Sequence, residues 1–149
     1  MPLRKLPDPA QKRVIVLVIS PFQEDHSSLR DIFAHSNWNI YETCNLAEAI
    51  AILRQTQIPV IICERDLPDG NWTNVLNEAA LLANPPHVIV TARLADEHLW
   101  AEVLNLGGYD LLEKPFQAPE VFRVISLAWL HWNQEWERAN QRLSLSKGA

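Results

Sequence analysis

Three acidic side chains follow a strand-like segment in the middle of the chain. The stretch "CERDLPDG", residues 63–70, comes directly after the apolar run "IPVII" and contains Glu64, Asp66 and Asp69. Carboxylates placed where a strand meets a loop are suited to be metal ligands, a general base or a phosphoryl acceptor. Because Asp, Pro and Gly also favour tight turns for local backbone reasons, we favour a simple turn for Asp66 and Asp69.

The composition excludes several classes of protein. The chain has 149 residues, 48% hydrophobic and 21% charged, with a net charge of -5. A single domain with its own core is expected, and the negative charge disfavours a nucleic-acid partner. The first residues lack the apolar segment of a signal peptide, and no stretch is long enough to span a membrane. We therefore predict a cytoplasmic protein with no nucleic-acid or membrane partner.

The cysteines and histidines give no sign of a metal site. Cys44 and Cys63 each end a strand-like run, and we predict two buried thiols. None of the five histidines has a metal-ligand spacing with a Cys or Asp, so we predict no zinc or iron site.

Five strand-like runs alternate with five helix-like segments. The first run, "VIVLVI", is continuously apolar and β-branched, which is typical of a strand buried on both faces of a parallel sheet. The first helix is expected to begin near Glu24 or Asp25, and the last around Pro119. The alternation predicts an α/β fold with helices on both faces of a parallel sheet. Functional residues of such a sheet gather at the carboxyl ends of its strands, here Ser20, Cys44, Glu64, Thr91 and Lys114.

The order and spacing of these features resemble the receiver domain of two-component response regulators, from about Arg13 to Trp129. "ERDLPDG" is similar to the loop after the family's third strand, and "VTA" to the hydroxyl residue that ends the fourth. "GGYDLLEKPF" is similar to the segment with a Lys-Pro pair after the fifth strand. The resemblance implies a flavodoxin-like, doubly wound sheet of five strands in the order 2-1-3-4-5, flanked by five helices. It also implies a bacterial-type phosphorelay signalling module that is not an enzyme.

The resemblance assigns a role to each strand-end residue. In the family, an Asp after the third strand accepts a phosphoryl group, and two acidic residues after the first strand help it to hold magnesium. A hydroxyl residue and a lysine bind the phosphoryl oxygens. By position, the acceptor is Glu64 and the acidic pair is Ser20 and Pro21. The hydroxyl residue is Thr91 and the lysine is Lys114.

Several positions depart from the family pattern. Ser20 and Pro21 offer a hydroxyl and an imino acid where magnesium needs carboxylate oxygens, so we predict poor metal affinity and no cofactor. Glu64 is one methylene longer than Asp, which displaces its carboxylate from the acceptor geometry. Leu111 lies where the family often has an aromatic switch residue, and Tyr109 lies two positions earlier.

The sequence leaves three interpretations of Glu64 open. It can mimic a phosphorylated Asp by pairing with Lys114, form a structural ion pair without signalling meaning, or be an unusual acceptor. We predict a phosphorylation-independent protein-interaction module. The alternatives are a working receiver that uses Glu64 or Asp66 with magnesium, and a module that binds an anion in the strand-end crevice.

The last helix carries an aromatic stripe. Ile125, Trp129, Trp132 and Trp136 follow one another at steps of four, three and four, on one helical face. This helix is expected to be longer than the family's usual final helix, so that Trp132 and Trp136 extend beyond the domain. We predict an interface formed by Trp129, Trp132, Trp136 and, from the fourth helix, Trp100. In the alternative interpretation, the tryptophans cover a loop.

These features predict the organisation of the chain and its partners. We expect a leader over residues 1–12, a receiver-like domain over 13–131, and a helix extension and tail over 132–149. The expected partner is a signalling protein, such as a histidine kinase or an output protein. A homodimer through the fourth helix, fifth strand and fifth helix is also predicted.

Overall fold

The strands form one parallel sheet and one small hairpin. The computed structural model describes residues 13–147. In chain order, its strands are β1 (Ile15–Ile19), β2 (Asn39–Thr43), β3 (Val60–Glu64), β4 (Asp66–Leu67), β5 (Gly70–Asn71), β6 (His87–Ala92) and β7 (Asp110–Glu113). The main sheet has the order β2-β1-β3-β6-β7, all parallel, and β4 and β5 pair separately as an antiparallel hairpin. Without the hairpin this is the order 2-1-3-4-5, so the predicted fold is confirmed.

Five helices connect and follow these strands. They are α1 (Gln23–Phe33), α2 (Leu46–Gln55), α3 (Trp72–Ala80), α4 (Glu97–Leu106) and α5 (Ala118–Lys147). α1 begins one or two residues before its predicted start, and α5 begins one residue before Pro119. α5 has 30 residues, so the prediction of a long final helix is confirmed.

Both faces of the sheet are buried, because each carries helices. On one face, the apolar sides of α2, α3 and α4 pack through residues such as Leu53, Val75 and Val103. On the other, α1 and α5 pack through residues such as Leu29 and Val124. Successive residues of a strand alternate between the two faces, so the central strands β1, β3 and β6 are apolar except at or near their ends.

Local signals fix the ends of the helices. The Asn45 side chain caps α2 by accepting a hydrogen bond from Glu48 N, and Asp96 caps α4 by accepting one from Leu99 N. α4 ends at Gly107, whose φ of 104° is a left-handed conformation that glycine adopts without strain. These caps orient the loops at both ends of the sheet.

Two predictions about segments and thiols have different outcomes. The predicted leader, residues 1–12, lies outside the described residues. Cys63 is buried, but Cys44 is only half-buried, because it follows the edge strand β2.

Across residues 13–147, none of the helices has the length and apolar character needed to cross a lipid bilayer.

Candidate functional site

Lys114 lies at the centre of the strand-end site, between two carboxylates. Its Nζ is 2.6 Å from Oε2 of Glu64 and 2.9 Å from Oδ2 of Asp25. The exposed fractions of these three side chains are only 8–10%. The Phe22 ring covers the ammonium, with Nζ 4.8 Å from the ring centroid. The site is therefore a closed ionic cluster, shielded from solvent.

Thr91 binds the same carboxylate oxygen as Lys114. The Thr91 hydroxyl donates a hydrogen bond of 2.8 Å to Oε2 of Glu64. Glu64 and Thr91 are paired neighbours on β3 and β6, near the carboxyl ends of these strands. Both groups that the resemblance assigns to phosphoryl binding, the hydroxyl and the ammonium, are thus bound to Glu64.

The two positions of the acidic pair are occupied by Ser20 and Pro21, and Ser20 forms hydrogen bonds within the chain. Ser20 Oγ donates a hydrogen bond of 2.6 Å to Oδ2 of Asp25 and accepts one of 3.1 Å from Phe22 N. The Ser20 carbonyl oxygen lies 2.9 Å from Nε2 of the buried His26. Pro21 is half-buried and has neither an N–H nor a side-chain oxygen. These contacts tie the end of β1 to the first turn of α1.

Asp25 is the site residue to which the sequence analysis gave no role. It lies in the first turn of α1 and is buried, with its carboxylate bound by Ser20 and Lys114. One signal in the sequence pointed to Asp25. It is an acidic residue that follows closely after Ser20 and Pro21, the positions where the family pattern has an acidic pair. The sequence alone does not show that α1 directs residue 25 toward residue 114.

The two aspartates of the acidic turn lie outside this cluster. Asp66 is 72% exposed and forms an ion pair of 3.0 Å with the adjacent Arg65. Asp69 lies in the hairpin turn and accepts hydrogen bonds of 2.7 and 3.0 Å from the backbone N–H groups of Leu46 and Ala47. These bonds, above all the one from Leu46, hold the pKa of Asp69 below its usual range. Asp69 is therefore a second cap of α2.

The switch-equivalent position carries no polar group. Leu111 is buried in the core on the α4 side of the sheet. Tyr109 is half-buried, with its hydroxyl 2.7 Å from Nδ1 of His131. Burial, followed by the nearby charges of Asp110 and Glu135, raises the pKa of Tyr109. The hydrogen bond ties the start of β7 to α5.

A crevice of about 270 Å³ adjoins the ionic cluster. It is lined by Glu24, Asp25, Ser28, Arg93, Lys114, Pro115 and Phe116. Its two cationic residues already contact carboxylates, since Lys114 binds Asp25 and Arg93 lies 3.6 Å from Glu24. The predicted anion-binding alternative would need these contacts to break.

The residues of the site do not fit magnesium. The carboxylates of Asp25 and Glu64 both contact the Lys114 ammonium, at 2.9 and 2.6 Å. Magnesium needs several oxygen ligands at about 2.0–2.1 Å in an octahedral arrangement, which an ammonium between the carboxylates prevents. Across the described part of the chain, no three His, Cys, Asp or Glu side chains are grouped to hold a metal ion.

The tryptophans occupy different environments, which corrects one prediction. Trp100 is 51% exposed, whereas Trp129 is half-buried and packs against the core beneath α5. Trp132 is only 2% exposed, and its Nε1 donates a hydrogen bond of 3.3 Å to the Asn84 carbonyl. Trp136 is half-buried and stacks on Trp132, with ring centroids 6.4 Å apart. The prediction that Trp132 is an interface residue is therefore wrong, because the loop before β6 covers its side chain.

A sequence comparison decides the family. The sequence profile of the response regulator receiver domain family matches residues 16–126. The chain belongs to this receiver domain family. This receiver domain is also similar to the transcriptional regulatory protein DpiA of Escherichia coli K12, at 31% identity over 71 residues. That match covers 48% of the chain and 31% of DpiA, so the chain spans less than a third of the length of this curated relative.

Solved structures share the fold of this receiver domain. The signal receiver domain of an HD domain-containing protein from Pseudomonas fluorescens Pf-5 has a TM-score of 0.77 at 20% identity, over 85% of this chain and 94% of that one. The beryllofluoride-activated NtrC4 receiver domain dimer has a TM-score of 0.72 at 26% identity, over 81% and 98%. Receiver domains are typically non-enzymatic modules of two-component signalling that interact with other signalling proteins. This chain is a response regulator receiver domain of two-component signalling.

Proposed function

We propose that this receiver domain is a phosphorylation-independent interaction module. The main support is that one oxygen of Glu64, Oε2, binds two groups. It lies 2.6 Å from the Lys114 ammonium and accepts a hydrogen bond of 2.8 Å from the Thr91 hydroxyl. In the family pattern, these two groups bind the phosphoryl oxygens. Here a carboxylate of the chain itself takes that place.

The cation that a phosphoryl site needs is also replaced from within the chain. Lys114 bridges Asp25 and Glu64, while Ser20 donates its hydroxyl proton to Asp25. An incoming magnesium ion would have to displace an ammonium that is already bound by two buried carboxylates. Since the Ser20 and Pro21 positions add no carboxylate, little favours that exchange.

We further propose that Glu64 acts as a permanent mimic of the phosphorylated residue. Its Oε2 holds Thr91 and Lys114, the two groups that bind the phosphoryl oxygens in the family pattern. The structural ion pair without signalling meaning is the competing interpretation, because buried ion pairs also occur for packing reasons. In the proposed function, partner binding rather than phosphate sets the conformation.

The proposed partners are a histidine kinase, an output protein or a second copy of the chain. The predicted homodimer face, formed by α4, β7 and α5, has exposed apolar side chains at Trp100, Leu104 and Leu127. Exposed apolar side chains of this kind support a role in protein contacts. The cytoplasmic location and the absence of enzymatic activity stay predictions.

Amide NMR tests the proposed function. The uniformly ¹⁵N-labelled protein is titrated with magnesium and then with beryllofluoride, a phosphoryl mimic. We expect no saturable shift at the amides of Glu64, Thr91 and Lys114. A receiver with an intact acidic pair, treated identically, is the positive control. Saturable shifts at these three residues that extend to α5 would overturn the proposal in favour of a working acceptor site.

Mass spectrometry tests the acceptor chemistry separately. The protein is incubated with acetyl phosphate and magnesium, and the intact mass is measured. We expect no phosphoryl adduct. If an adduct forms, its loss in Glu64→Gln or in Asp66→Asn identifies the residue that accepts the phosphoryl group.

A further inference from the structure

The far end of α5 continues the spacing of the aromatic stripe beyond the body of the domain. Trp136, Ala139 and Leu143 follow Trp132 at steps of four, three and four. Such spacing keeps apolar side chains on one helical face and is typical of a helix that packs against another helix. We call these three residues the seam. Leu143 is 61% exposed and Ala139 is half-buried, so the described chain leaves the outer part of the seam uncovered.

A basic edge runs beside the seam. Arg138 and Arg142 line a groove of about 250 Å³ between α5 and the loop before β6, together with Ala83, Asn84, Pro85, Trp132, Glu135 and Ala139. Among the ion pairs between described residues, none involves either arginine. The occupant of this surface should therefore be apolar and acidic.

Charge disfavours pairing between two copies of the seam itself. An antiparallel contact around Ala139 and Leu143 would bring Arg142 of the two copies together. A register that pairs Glu135 with Arg142 of the second copy would need Trp132 to take part in the contact. Trp132 is not available for this, because it is only 2% exposed and is bound to the Asn84 carbonyl. Glu135 is also bound to His87, at 2.9 Å.

Helix α4 of the same chain presents the complementary surface. Glu97, Trp100, Ala101 and Leu104 are exposed and share one helical face, which we call the α4 stripe. Trp100 is 51% exposed, and Leu104 38%. Neither arginine nor lysine occurs between Asp96 and Leu106, whereas Asp96, Glu97 and Glu102 are acidic. The stripe is thus apolar with an acidic surround.

We propose that the seam and basic edge of one copy bind the α4 stripe of a second copy. Trp100 would pack on the seam as the main apolar anchor, since buried tryptophans dominate many interfaces. Glu97 would face Arg138 and Arg142. Because the two surfaces are different, the contact is head-to-tail, and each bound copy leaves a free surface for the next one. This refines the self-association part of the proposed function and does not depend on phosphorylation.

Sedimentation velocity over a range of concentrations, without magnesium or phosphoryl donor, tests the contact. We expect the wild type to grow beyond a dimer as concentration rises. Leu143→Glu should weaken association at least about tenfold, because it places a carboxylate in the seam. Leu145→Glu is the matched control, since Leu145 is 76% exposed and lies nearly opposite Leu143 on the helix. A wild type that stays monomeric, or an equal loss in both variants, would overturn the proposal.

A mixing experiment separates head-to-tail from symmetric association. Arg138→Glu/Arg142→Glu removes the basic edge, and Trp100→Glu removes the α4 stripe. All three positions are exposed, so circular dichroism should show an unchanged fold. Each variant alone should be monomeric, whereas their mixture should form a heterodimer that grows no further, because only one complementary pair of surfaces remains. Absence of the heterodimer would exclude this contact, while the NMR titration would still test the loss of phosphoryl chemistry independently.

Discussion

The Asp25 carboxylate lies 2.9 Å from the Lys114 ammonium, although the two residues are 89 positions apart in the sequence. The contact joins the first turn of α1 to the end of β7, at the edge of the sheet where Glu64 also lies. It gives Lys114 a second carboxylate, so both buried carboxylates of the site contact a cation of the chain itself. A buried cluster of this kind costs more to break than it contributes as a whole.

Replacing Lys114 with methionine should destabilise the protein strongly. Lys114→Met leaves the carboxylates of Asp25 and Glu64 buried without their cation, and removal of one partner of a buried pair costs about 3–5 kcal/mol. Urea unfolding at neutral pH measures the loss. Arg93→Met is the control, because Arg93 is 79% exposed and its ion pair with Glu24, which is 85% exposed, is a long contact of 3.6 Å. It should change stability by no more than about 0.5 kcal/mol. Equal losses in the two variants would contradict a buried cluster.

Asp25 should matter more than its acidic neighbour. Asp25→Ala removes the acceptor for Ser20 Oγ and one carboxylate of Lys114, and we expect a loss of about 2–3 kcal/mol. Glu24→Ala, whose side chain is 85% exposed, should stay within about 0.5 kcal/mol of the wild type. Chemical denaturation of both variants makes the comparison. If Glu24→Ala proved the more damaging change, the role of Asp25 would be excluded.

The parts of the site that could be predicted from the sequence are those set by the strands. Glu64 ends β3, Thr91 is the last residue but one of β6, and Lys114 directly follows β7. Parallel pairing brings these strand ends to one edge of the sheet. Asp25 lies on a helix instead. Its direction depends on how α1 packs on the sheet and on the turn formed by Ser20, which are tertiary properties that the spacing of residues does not encode.

Restoring the acidic positions should restore metal binding. Ser20→Asp/Pro21→Asp/Glu64→Asp supplies three carboxylates at the positions that hold magnesium in the family pattern, and shortens the side chain that now occupies Lys114. We expect saturable, magnesium-dependent changes in tryptophan fluorescence or amide shifts in this variant. Ser20→Asn/Pro21→Asn/Glu64→Asn, which has amides in place of the carboxylates, is the control and should show none. A wild type that responds to magnesium as strongly as the triple variant would contradict the misfit described for this site.

Asp69 should stabilise the protein in a pH-dependent way. Its hydrogen bonds from Leu46 and Ala47 N–H lower its pKa, so the folded state favours the carboxylate. This stabilisation is present above the unfolded value of 3.8 and is lost as the pH falls through the lowered folded value. Asp69→Asn should thus melt at a lower temperature than the wild type at neutral pH, with a difference that shrinks in strong acid. Thermal melts of both proteins across the acid range measure this; a constant difference at all pH values would rule out the charged cap.

The aromatic stripe illustrates a different limit of sequence analysis. Helical spacing correctly places Trp129, Trp132 and Trp136 on one face of α5, but it does not show which of them another segment covers. The answer depends on the path of the loop before β6, where the Asn84 carbonyl accepts the hydrogen bond of Trp132. Burial of Trp132 is therefore a property of the folded chain and not of the stripe.

This burial gives the last prediction. Trp132→Ala removes a side chain that is 2% exposed, together with its hydrogen bond to Asn84. Large-to-small changes of a buried tryptophan cost about 3–5 kcal/mol, because the cavity closes only in part. Trp100→Ala, at a position that is 51% exposed, should cost no more than about 0.5 kcal/mol in the monomer. Urea unfolding at low protein concentration compares them. Similar costs would mean that Trp132 is open to solvent, and with it free for a partner, as the sequence alone had suggested.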